Sequence, residues 1–88
     1  MIKRKVTITN ELGLHARAAA KLVHLTAQFS SDITVQKDGQ QANGKSIMGI
    51  LLLAAPRGSK LTIVFEGEDE DNAAEAVCAL IKDKFGEK

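Results

Sequence analysis

Ile33-Thr-Val-Gln-Lys-Asp-Gly-Gln-Gln-Ala-Asn-Gly-Lys-Ser46 admits two readings, and the choice between them decides the fold. In the first, Gly39 to Ser46 matches G-x-x-x-x-G-K-S, the phosphate-cradling loop between a parallel strand and its helix. Leu61 to Phe65, followed by Glu66, then resembles an apolar strand ending in a metal-binding carboxylate. In the second, Ile33 and Val35 alternate with polar neighbours as a strand. Asp38-Gly39 turns the chain, and Gln40 to Asn43 returns antiparallel as the second arm of a hairpin. Eighty-eight residues are too few for a parallel sheet with helices on both faces. The helix after Ser46 also has room for only about two turns before Pro56. The hairpin reading is adopted, and a small nucleotide-binding domain stays as the alternative.

Working outward, Ile2 to Thr9 alternates, with Ile2, Arg4, Val6 and Ile8 on one side and Lys3, Lys5, Thr7 and Thr9 on the other. This is the pattern of a half-buried strand. Asn10 to Leu14 is a loop. Ala16 to Phe29 is Ala-rich, with Ala19, Leu22, Val23 and Thr26 at helical spacing. Ser46 can cap a short helix that Pro56 and Gly58 stop. Leu61, Ile63 and Phe65 mark a fourth strand. The last helix starts within Asp69 to Asn72, with Asn72 and Glu75 placed for a capping box. Ala73, Val77, Leu80, Ile81 and Lys84 carry it on, and Gly86 closes it. The order is β-α-β-β-α-β-α. Both long helices are amphipathic and need the same sheet face. The expected fold is α+β: an open-faced sandwich with a four-stranded, largely antiparallel sheet and three helices on one face. Residues 1–88 form a single domain.

Composition narrows the function. With no Trp, no Tyr and three Phe, the chain lacks the stacking platforms of a single-strand nucleic-acid binder. The net charge of +1 names no polyanionic partner, but it is unevenly spread. Residues 1–65 carry a net +6 and residues 66–88 a net −5. Cys78 is alone, which fits a reducing compartment. Lys3-Arg4-Lys5 starts like a signal peptide, but Asn10 and Glu11 interrupt the apolar stretch too early. The longest apolar run, Ile47 to Ala55, is too short to span a bilayer. A cytoplasmic domain without membrane insertion is expected.

Gly13-Leu-His-Ala-Arg17 carries the clearest chemistry. His15 follows a Gly-containing loop and directly precedes a helix. The first helical turn leaves N–H groups unpartnered, carries partial positive charge and stabilises anions. A charged imidazolium is disfavoured there, so His15 is expected to be neutral and nucleophilic near neutral pH. Arg17 supplies a donor fork for phosphoryl oxygens. Nucleophile, amides and cation thus fall within three residues, a sensible place to form a phosphohistidine. Local sequence alone favours a plain helix start with Arg17 solvated, since such starts are common. No carboxylate or Ser nearby in sequence suggests a hydrolytic triad.

The other candidates are weaker. Ser46 is either a plain cap or a site where phosphate meets the same helix end. The helix from Ile47 to Leu53 is apolar all round, with Ile47, Ile50 and Leu53 on one face and Met48, Leu51 and Leu52 on the other. The surplus face is either covered by a neighbouring helix or is a docking patch. His24 has Ala20, Lys21, Ala27 and Gln28 as helical neighbours, so nothing there ligates a metal or orients its ring. Cys78 reads as a small packing residue.

Asn10-Glu-Leu-Gly-Leu-His-Ala-Arg-Ala-Ala-Ala-Lys-Leu-Val23 resembles the active-site signature of the histidine-containing phosphocarrier (HPr) family of the bacterial phosphotransferase system. Asn43-Gly-Lys-Ser-Ile-Met-Gly-Ile50 resembles that family's regulatory-serine segment. The resemblance covers essentially the whole chain. It implies that His15 accepts a phosphoryl group on Nδ1 from enzyme I, with Arg17 assisting and the Ala16 and Arg17 amides holding phosphate oxygens. The group then passes to a downstream acceptor of the system. The chain is thus a phosphoryl-transfer intermediate rather than an autonomous catalyst, with no metal or cofactor of its own. The resemblance further implies regulatory phosphorylation of Ser46 by a serine kinase, partner docking through Ile47, Met48 and Leu51, and a monomer. One departure is Ala18, where many members have Pro; Ala at this position resembles members of regulatory or nitrogen-related phosphotransfer chains as much as sugar-uptake ones. A non-catalytic docking module with an idle His15 is the remaining alternative.

Overall fold

In the computed structural model, which describes residues 1–87, each apolar alternation becomes a strand and each 3.6-residue stripe a helix. The elements are β1 (Ile2–Thr7), α1 (Ala16–Thr26), β2 (Asp32–Lys37), β3 (Gln40–Asn43), α2 (Ile47–Leu52), β4 (Lys60–Glu66) and α3 (Glu70–Lys82). A 3₁₀ turn at Lys84–Gly86 follows. The sheet order is β1-β4-β2-β3, antiparallel throughout. The expected open-faced sandwich is therefore the fold.

The deciding stretch is a hairpin. Lys37 pairs with Gln40 and Thr34 with Asn43. Asp38 (φ 48°) and Gly39 (φ 81°) occupy its two central positions, the two left-handed residues that a tight twisted hairpin needs. Gly39 thus reverses the chain. Lys45 points its Nζ at the Phe29 carbonyl, 2.7 Å away, and α2 is only six residues long. Gly39, Lys45 and the following helix are all used otherwise than in a phosphate-cradling loop.

Register explains the core. Ile2, Arg4 and Val6 face the same way as Phe65, Ile63 and Leu61, their partners on β4. Leu61, Ile63 and Phe65 are fully buried, as are Ala18, Ala19 and Leu22 of α1 and Ala73 and Val77 of α3. The alanines let the helices approach closely at no side-chain entropy cost. Among the described residues no helix is long and apolar enough to cross a membrane.

Several details differ from the sequence reading, among them β1, which ends at Thr7 rather than Thr9. The α1 helix ends at Thr26 rather than Phe29. There the Thr26 hydroxyl turns inward to donate to the Gly44 carbonyl at 2.8 Å, and Gln28 and Phe29 close i→i+3 turns. The Asn72–Glu75 capping box does not form, because α3 already begins at Glu70. Glu70 instead reaches back to accept the Gly67 N–H at 3.1 Å. Finally, α3 stops at Lys82, and Lys84 lies in a separate turn with left-handed φ.

Candidate functional site

His15 sits where a clamped loop meets a helix. Gly13 takes φ 65°, a conformation glycine enters without the usual steric cost. The adjacent Leu14 is buried, and its N–H donates to the Ala55 carbonyl at 2.9 Å. Asn10 closes the loop: its carbonyl accepts the Gly13 N–H at 3.1 Å, and its Nδ2 donates to the Gly13 carbonyl at 2.8 Å. Held this way, His15 is the extended residue that caps α1 through its backbone, accepting the Ala19 N–H at 2.8 Å. Its side chain does not cap, so the ring is free for other work.

The first turn of α1 directs the amides of Ala16, Arg17 and Ala18 outward, because no residue four positions earlier belongs to the helix. Arg17 is exposed beside them, and together with Glu11, Leu12, His15, Ala16 and Glu87 it lines one open depression. The helix start holds without Pro, since the fully buried Ala18 methyl packs in the core. Ala18 also keeps an N–H that Pro would lack.

A carboxylate completes the site. Glu87 Oε2 lies 2.5 Å from His15 Nε2, and Glu87 Oε1 accepts Asn10 Nδ2 at 3.0 Å. These two hydrogen bonds hold the Glu87 carboxyl below its ordinary pKa, the one from His15 contributing most. An ionised carboxylate only accepts, so the Nε2 that faces it is the nitrogen that donates. Nδ1 takes no hydrogen bond among the described residues. The carboxylate thus fixes the ring through one of its two nitrogens.

Sequence reasoning singled out His15 and Arg17 and left out Asn10 and Glu87, which the structure links to His15 by hydrogen bonds. Asn10 was legible only as a loop residue, although it is fully buried. Glu87 lies 72 positions from its partner, and no local signal announces it.

Ser46 caps α2 as expected, its Oγ accepting the Gly49 N–H at 3.1 Å. Ile50 and Leu53 are buried, whereas Ile47, Met48 and Leu52 are 43%, 66% and 74% exposed. Leu12 is 69% exposed in the loop before His15. Leu51 is half-buried because it packs against the core, so Leu52 rather than Leu51 carries most of the helix's outer apolar surface. His24 is exposed, and Cys78 is half-buried in α3. Desolvation raises the Cys78 thiol pKa, which keeps it protonated.

The family described as "PTS HPr component phosphorylation site" matches residues 2–83 of the chain. The phosphocarrier protein HPr of Cupriavidus necator is 48% identical over 87 residues, covering 99% of this chain and 98% of the relative. The phosphocarrier protein NPr of Shewanella violacea is 43% identical over 86 residues, covering 98% and 94%. HPr-C-His from Thermoanaerobacter tengcongensis superposes with a TM-score of 0.97 at 44% identity, covering 100% of this chain and 99% of that one. A structure described as an HPr dimer from the same organism superposes at 0.80 with 45% identity, covering 99% and 100%.

Proposed function

The chain belongs to the HPr family of the phosphotransferase system, and from that premise we propose that it carries a phosphoryl group on His15 Nδ1. Enzyme I, charged by phosphoenolpyruvate, is the donor, and a downstream protein of the system is the acceptor. The observation that supports this most is the 2.5 Å contact between His15 Nε2 and Glu87, which leaves the Nδ1 lone pair available at the helix start. Arg17 and the amides of Ala16 and Arg17 receive the phosphoryl oxygens, matching anion to helix N-terminus.

Partners dock on the apolar surface of Ile47 and Met48, with Leu51 contributing its outer edge. Large apolar side chains exposed together on one short helix suit a docking surface, and Met adapts to more than one partner. Ser46 is the regulatory site. A phosphate there would remain at the α2 start and place about two negative charges next to Ile47 and Met48. The carrier works as a monomer in the cytoplasm, and the dimer described for a relative makes sedimentation the direct check of that state.

Labelling with phosphoenolpyruvate and enzyme I tests the assignment. The expected product is acid-labile and alkali-stable, and it disappears in His15→Ala while the fold is retained. A label that persists in His15→Ala, or no label on the native chain with an active enzyme I, overturns it.

A further inference from the structure

Glu87 reaches His15 through a turn of left-handed residues that follows α3. Beyond α3, Lys84, Phe85 and Gly86 take φ of 57°, 56° and 75° in succession. Two consecutive non-glycine residues in that region persist only where their surroundings impose it. Phe85 is fully buried and anchors the turn. Lys21 of α1 donates to the Phe85 carbonyl at 2.7 Å, and the Glu87 N–H donates to the Lys84 carbonyl at 2.9 Å. The delivered carboxylate has both oxygens engaged, one by the fully buried Asn10 and one by His15. Its side chain is 17% exposed and that of His15 28%, so solvent screens the pair only partly.

We infer that Glu87 is a positioning residue for phosphoryl transfer, holding the proton on His15 Nε2 while Nδ1 gains and then loses the phosphoryl group. The inference rests on His15 being the carrier. On uptake, the Nδ1 lone pair forms the N–P bond, and the bond from phosphorus to the donor breaks with its electrons returning to the donor. The ring keeps its Nε2 proton and becomes positively charged, directly against the carboxylate. On delivery, the acceptor's nucleophile attacks phosphorus and the N–P electron pair returns to Nδ1. The ring then departs as neutral imidazole, because Nε2 has kept its proton. Without that proton it would have to leave as imidazolate, a far more basic and slower leaving group. No proton crosses between Glu87 and His15 in either half, in keeping with a carboxyl held ionised by its two hydrogen bonds. A carboxylate behind an imidazole fixes the tautomer in the same way in other catalytic sites.

The test compares Glu87→Gln and Glu87→Asp with the native chain. A glutamine can offer Nε2 an N–H, which favours the opposite tautomer and blocks Nδ1. Nitrogen-15 spectra of His15 in alkaline solution are expected to show the Nε2–H form in the native chain, a mixture in Glu87→Gln, and a return toward Nε2–H in Glu87→Asp. Labelling from enzyme I is expected to slow about tenfold or more in Glu87→Gln, with unchanged spectral dispersion elsewhere. If the native chain labels on His15 and Glu87→Gln keeps both the Nε2–H form and the native rate, the role of Glu87 is refuted. The same follows if Gln and Asp behave alike. Failure of the native chain to label would instead remove the carrier reading itself.

Discussion

Gly13→Ala asks whether the loop that presents His15 is clamped or merely adjacent to its neighbours. A Cβ on Gly13 would lie 2.5 Å from the Ala55 carbonyl oxygen and 2.8 Å from Pro56 Cα, both backbone atoms that cannot rotate aside. Keeping φ at 65° costs alanine about 1–2 kcal/mol in any surroundings. Relieving the overlap requires lifting the loop from Ala55, whose carbonyl accepts the Leu14 N–H. Leu14 and Ala55 are 5% and 4% exposed, so unpairing these groups adds about 1–3 kcal/mol. The sum is about 2–5 kcal/mol, a large part of the roughly 4–13 kcal/mol expected for a chain of this size. With a urea slope near 1–3 kcal/mol per molar, the midpoint should fall by about 1 M or more while the slope is unchanged. Gly39→Ala is the internal control. Gly39 also has positive φ, 81°, but an added Cβ meets nothing within 4 Å, so only the conformational part of the cost applies. Urea titration of both variants, with the rate of labelling from enzyme I, separates the two contributions. Equal midpoints for the two variants, with Gly13→Ala labelled at the native rate, would refute the clamp.

Three further outcomes follow from other parts of the molecule. Asp69 accepts the Ser31 hydroxyl and the Ser30 and Ser31 amides, which lower its pKa from 3.8 to about 2, the hydroxyl contributing most. A depressed carboxylate stabilises the fold above its unfolded value, so this contribution is lost as pH falls from about 4 through 2. Acid titration of unfolding in Asp69→Asn should therefore lack that component, and identical acid profiles would contradict it. Met48→Asp, at a 66% exposed position, should change stability by less than about 0.5 kcal/mol. Its labelling should nevertheless slow, and a native rate would exclude Met48 from docking. Ser46→Asp retains an acceptor for the Gly49 N–H but adds charge beside the apolar patch. Slower transfer is expected, less than with a phosphate because Asp carries one charge against about two, and an unchanged rate would count against Ser46 as a control point.

The fold was legible because local signals and tertiary demands agreed. Asp38-Gly39 is a turn in sequence and a left-handed pair in space, and its hairpin sets the sheet antiparallel before any helix is placed. Ile33, Val35, Leu61, Ile63 and Phe65 alternate and are all buried. Errors fell where a side chain had a better partner elsewhere. Thr26 fits the helical stripe, yet the Gly44 carbonyl draws its hydroxyl inward, and α1 ends there. Asp69 could serve its own helix, but its carboxylate is taken by Ser30 and Ser31. The Asn72–Glu75 pattern was a true motif in the wrong place, one turn inside a helix that had already begun.

His15 and Arg17 of the candidate site stand out in the sequence for the same reason, and Glu87 shows what a local reading leaves out. The helix start beside His15 favours negative charge, which is what the proposed phosphoryl group would meet there. A phosphorylated imidazole that keeps its proton is a dipolar group, however, with negative oxygens on one nitrogen and a positive ring. A helix end stabilises the first part and opposes the second. In the proposed role Glu87 supplies the missing sign at Nε2, and Asn10 donates to the same carboxylate. Neither charge alone suits a carrier: with only the helix end the ring resists phosphorylation, and with only the carboxylate the oxygens are unsupported. A carrier must be loaded and unloaded at similar cost, which calls for both to be met at once. That balance depends on residues 72 positions apart, joined by the left-handed turn at Lys84 and Phe85, so it becomes visible only once the chain is folded.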